Sequence, residues 1–190
     1  MDDFSFYLKE GIQHILDTSA LDHLYFIVSF TLLYTLRDWR KLLGLVTAFT
    51  LGHCLTLFLS GLELISINTD LIETLIPITI LISCLNNYWI IFRKKNGIQS
   101  LWVTYLILLF FGLIHGLGFS NYVKTILFED ESILMPLLGF NVGIELAQLI
   151  IVAGFLTITG ILSLITKQLK WLRIVINTLI TILVLIMVFN

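Results

Sequence analysis

Two prolines, two cysteines and 13% charged residues are a thin supply of turn-makers, staples and solvating groups for 190 residues. So little charge excludes a water-soluble shell. A formal charge of −2 offers no basic field, and no nucleic-acid partner is expected. The cysteines, Cys54 and Cys84, both sit inside apolar runs, so there is no disulfide framework and each reads as a small packing residue. The first twenty residues are not expected to be a cleavable signal. It would need a basic start, a compact apolar core and a small-residue cleavage site, whereas MDDFSFYLKEGIQHILD begins acidic. Low-complexity segments and ATP-binding loops are also absent, so any transport must be channel-like or gradient-driven.

What the chain has in quantity is apolar length. Hydrophobic residues make up 58% of it, and the mean hydropathy is +0.99. Runs of about 20 apolar residues suffice to cross a bilayer core of roughly 30 Å. A backbone in lipid must satisfy its own hydrogen bonds, so the runs are expected to be helices. The expectation is an all-α, polytopic membrane bundle forming one domain over residues 1–190.

The few charges cluster. RDWRK (37–41), RKK (93–95) and KQLKWLR (167–173) hold three basic residues each, nine of the eleven in the chain. Acidic residues gather at the alternate positions: Asp2, Asp3 and Glu10, then Glu63 and Asp70, then EDE at 129–131. Basic loops stay on the cytoplasmic side. That predicts six spans, at about 20–36, 42–62, 71–92, 101–121, 133–165 and 172–190, in the inner (cell) membrane with both termini outside. The fifth is longest, with room to bend at Gly154 or Gly160. Ahead of them, Phe4, Tyr7, Leu8, Ile12, Ile15 and Leu16 recur at helical spacing. A short amphipathic helix is therefore expected over residues 1–18 on the outer surface, with Asp17, Thr18 and Ser19 capping the first span.

Ionisable groups inside spans are costly and usually face a cavity, a partner or an ion. Given the span directions, Asp22, His23, His53, Glu73, His115, Asn141, Glu145 and Gln148 all fall in the outer half of the bilayer, contributed by five segments. Asn141, Glu145 and Gln148 are spaced i, i+4, i+7 and share one helix face, as do Thr50 and His53. Gly52, Gly112, Gly116, Gly118, Gly139 and Gly143 flank the polar residues, and glycine at helix contacts lets backbones approach closely. Taken singly, His115 reads as a hydrogen-bonded interior histidine, Glu73 as a solvated carboxylate and Asp22 as a charge favoured at a helix start. As a set, imidazoles with carboxylates suit nickel, cobalt, zinc or copper(II). His23, His53 and His115 are expected to lie close enough to share one ion or one hydrogen-bonded cluster. Glu145 is expected to be a metal ligand, or an acceptor orienting one of the histidines. Toward the inner side only Ser83, Asn86 and Asn87 continue the polar path.

The stretches GIQHILDTSALDHLYF, FTLGHCLTL, LIETLIPITI, FGLIHGLGFS and LGFNVGIELAQ resemble, in order, the HupE/UreJ family of small membrane proteins. Members are associated with nickel-dependent hydrogenase and urease systems and described as nickel or cobalt permeases. The resemblance implies that His14, Asp22, His23, His53, His115 and Glu145 occupy the family's polar motif positions; by their placement, Glu73, Asn141 and Gln148 are expected behind them or along the pathway. The function expected is a permease for a divalent transition metal. Two alternatives remain at this point. One is an intramembrane metal-dependent hydrolase; the other is a metal-stabilised accessory subunit. Partners are the metal ion, the lipid bilayer, and a second copy or another membrane subunit.

Overall fold

The structure, a computed structural model, describes residues 3–18, 21–65, 67–93, 100–119, 134–166 and 168–189. Every regular element among them is helical: α1 (Asp3–Leu16), α2 (Asp22–Thr31), a 3₁₀ turn (Leu36–Asp38), α3 (Trp39–Gly61), α4 (Thr69–Arg93), α5 (Leu101–Gly118), α6 (Leu134–Thr166) and α7 (Leu169–Phe189). Five of these helices, α3 to α7, are long and apolar enough to cross a membrane. The exposed residues include large apolar side chains such as Leu51, Trp102, Leu106, Ile150 and Leu164. Such an inverted surface is the one a helix bundle presents to lipid. The expected acidic run 129–131, and Lys94 and Lys95 of the second basic cluster, lie outside the described residues.

The first expected span, 20–36, is occupied differently. Its helix, α2, has only 10 residues, about 15 Å at 1.5 Å per residue. The next helical segment starts early, because Asp38 accepts bonds from both the backbone N–H and the hydroxyl of Thr35, at 3.2 and 3.0 Å. Of the expected caps of this helix, Ser19 lies outside the described residues. Leu21 occupies the N-cap position without a side-chain bond, and Asp22 stands in the first turn. The N-terminal helix α1 is present, and one side of it packs on α6. Gly11, Tyr7 and Ile15 are buried, while Phe4, Phe6 and Leu16 are exposed. Contacts between α1 and α6 ascend together, Phe4 with Gly139 and Leu8 with Gly143, so the two helices run parallel. The other extensive interface joins α3 and α5, also parallel, with Gly44 beside Tyr105 and Gly112 between Phe49 and His53.

Glycine makes both interfaces possible. A Cβ on Gly112 would collide with the Phe49 carbonyl, and one on Gly11 with the Phe140 carbonyl. At the C-terminal end of α3 the reverse holds. Glu63 takes φ 57° to end the helix, a left-handed conformation that costs an L-residue about 1–2 kcal/mol. Glu63→Gly should therefore raise the apparent melting temperature of the detergent-solubilised protein by a few degrees. A fall would show that the Glu63 side chain supplies more than it strains.

Candidate functional site

The two close interfaces bring the histidines together. Backbone contact along Gly52, Gly112 and Gly116 seats His53, mid-α3, beside His115 in the last turn of α5. Packing of Gly11 and Gly143 carries the end of α1, with His14, to the same place. His23, in the first turn of α2, completes the group. Ring centroids lie 4.7 Å apart for His14 and His23, 5.9 Å for His14 and His53, 6.1 Å for His23 and His53, and 5.4 Å for His23 and His115. For comparison, three imidazoles on one tetrahedral ion with metal–nitrogen bonds of about 2.0–2.1 Å would have centroids about 5 Å apart. As placed, the donors do not converge on a common point: no trio of His, Cys, Asp or Glu among the described residues forms a ready coordination shell.

The cluster is largely buried and polar at once. His23, His53 and His115 are 4%, 0% and 1% exposed, walled by Phe26 and Phe49 at 5.0 and 5.2 Å from His115 and by Phe119 at 3.7 Å from His14. Yet among the described residues both ring nitrogens of His23 and of His53, Nε2 of His14 and Nδ1 of His115 have no hydrogen-bond partner. Asp22 Oδ1 approaches His23 Nδ1 at 3.3 Å without hydrogen-bond alignment. One ring is anchored: Nε2 of His115 lies 3.1 Å from the hydroxyl of Thr79. Buried polar atoms are normally paired, and each orphan costs about 1–3 kcal/mol. So many orphaned nitrogens in one spot fit a cation as the missing partner.

The remaining expected residues divide. Glu145 accepts a 2.5 Å bond from the Thr47 hydroxyl on α3, and Gln148 Oε1 accepts one of 3.0 Å from Thr50. Thr47 and Thr50 lie six and three residues before His53. That makes a second polar shelf along α3, about 5–9 Å of helix rise from the imidazole. No described contact joins Glu145 to a histidine. Asn141 donates to the Leu137 carbonyl at 2.7 Å. Its Oδ1 and the Nε2 of Gln148 are buried without partners. Glu73 is exposed, apart from the cluster.

Several neighbours were not legible in the sequence. Thr79 gave no signal, because threonine hydroxyls commonly bond back to their own helix, as this one also does to Ile76. Asn177 did carry one, a lone amide inside an apolar run. Buried Asn87 bridges it to the carbonyl of Ser29, at 3.0 and 2.8 Å, and Asn177 in turn donates to the Cys84 carbonyl at 3.0 Å. On the opposite side of the histidines, Glu10, Gln13, His14, Asp17, Thr18 and Phe119 line an open cavity of about 620 Å³.

No curated protein and no solved structure matches the chain. The family model described as HupE / UreJ protein matches residues 1–190, its whole length. With five apolar helices of spanning length beside that match, this integral membrane protein belongs to the HupE/UreJ family.

Proposed function

We propose that the chain is a permease for a divalent transition metal, nickel or cobalt by its family, with the imidazole cluster as the selection site. The observation that carries this reading is the set of orphaned, buried imidazole nitrogens drawn from four helices. Neutral imidazole binds such metals well, and a ligand set that closes only around the ion avoids trapping it. Asp22, beside His23, supplies negative charge that offsets the incoming cation. The cavity at Glu10, His14 and Asp17 is the mouth. On the far side, the Asn87–Asn177 pair offers the continuing polar groups.

In this reading α1, ending at Leu16, and α2, starting at Asp22, together make the first crossing and meet beside the histidines. α1 runs parallel to the first half of α6, while the end of α2 and the residues after it lie against Leu156 and Gly160 farther along that helix. Broken helices place ion sites within membranes in many transporters. Six crossings then leave both termini outside. A cysteine at Glu63 should react with impermeant thiol reagents in intact cells, and one at Lys170 only after permeabilisation. The opposite pattern would invert the topology.

Glu145, with Thr47, is the next station along α3. Glu145→Gln keeps its shape and removes its charge, so metal uptake should fall about 10-fold while the protein still folds. Unchanged uptake and affinity would remove the carboxylate from the pathway. The permease itself is tested in proteoliposomes with a cobalt- or nickel-sensing dye inside. Accumulation far beyond one ion per chain is expected. Stoichiometric binding without accumulation would instead favour an accessory subunit.

A further inference from the structure

At the basic end of the bundle, far from the histidines, a second cavity of about 350 Å³ opens among the end of α2, the 3₁₀ turn, α6 and α7. Arg37 and Arg173 both line it, with Thr159 and Ser163, and Leu172 and Ile176 supply an apolar wall. Arg173 is half-buried. One of its Nη atoms donates to the Leu33 carbonyl at 3.0 Å, and its Nε is buried without a partner among the described residues. Neither arginine forms an ion pair with a carboxylate among the described residues. The nearest candidate, Asp38, is already held by Lys41 at 2.9 Å and by Thr35. A guanidinium has five donors and cannot shed its charge, so a half-buried one at a membrane boundary calls for an oxyanion.

We propose that this pocket binds the phosphate of an anionic phospholipid from the leaflet on the basic side. Arginine's planar fork matches phosphate oxygens, which lysine's point charge does not. The apolar wall suits the first part of an acyl chain, and basic pockets between helices at this depth are where such headgroups bind. The lipid would tie the end of α2 to α6 and α7. This inference does not depend on the metal reading.

The test is native mass spectrometry of the full chain in detergent, with phosphatidylglycerol or phosphatidylcholine added at equal concentration. Wild type should retain the anionic lipid several-fold more. Arg173→Gln should abolish that preference and Arg37→Gln should weaken it, whereas Arg93→Gln, whose guanidinium stacks on Trp89, should keep it. Equal retention of the two lipids by wild type would overturn the proposal, as would an undiminished preference in both pocket variants. If Arg173→Gln does not fold, exposed Arg37 and the wild-type comparison decide. Millimolar inorganic phosphate should not displace the lipid. Displacement would assign the pocket to a free anion and overturn the lipid as its occupant.

Discussion

His53→Ala should lower the affinity of the purified protein for cobalt or nickel at least about 100-fold, since even the outer partners of metal ligands are worth about 10–100-fold. The residue is fully buried, and neither ring nitrogen finds a partner among the described residues. It also sits in the middle of α3 rather than at a helix end, so its neighbours hold it in place whether or not an ion is bound. Removing the ring leaves a small cavity, which costs stability but should not unfold a bundle braced by two glycine-lined interfaces. Equilibrium dialysis against cobalt, with the melting temperature measured in parallel, separates the effects. Lost binding with a melting shift of only a few degrees is the expected pair. Retained stoichiometric binding at unchanged affinity would take His53 out of the site.

The second large effect is structural. Gly112→Leu should abolish the folded protein, read as loss of the monodisperse peak on size-exclusion chromatography. Overpacking usually costs about 1–3 kcal/mol because side chains can shift. Here the added Cβ meets the Phe49 carbonyl and the backbone of His53, which cannot move without pushing α3 off α5. The control is Gly154→Leu, at an exposed position on α6 where a Cβ has nothing within 4 Å. That variant should elute as wild type does. If Gly112→Leu also behaves normally, backbone contact is not what sets the α3–α5 spacing.

Much of this arrangement was legible from residue type and spacing. Glycines beside histidines announced close helix contacts, and Gly52 with Gly112 makes one. Apolar length marked α3 to α7, whose bounds fall within a few residues of the expected spans. That His23 lies near both His53 and His115 followed from counting depth along each span, although their nitrogens do not point to one spot. What depth cannot give is azimuth. Glu145 lies at a suitable depth, but the crossing of α3 and α6 turns it to Thr47. The first span misled for another reason. Residues 20–36 look continuous to a hydropathy window, yet the Thr35–Asp38 pair restarts the chain and α2 ends at Thr31. The packing of α1 on α6 was hidden because its apolar stripe is equally suited to a membrane surface.

If these imidazoles hold the metal, X-ray absorption at the nickel or cobalt edge of the loaded protein will report them as its ligands. One ion per chain with at least three imidazole nitrogens at about 2.0–2.1 Å is expected, reduced in number by His23→Ala and by His53→Ala. A shell of oxygen ligands alone, or a spectrum unchanged by both substitutions, would contradict it.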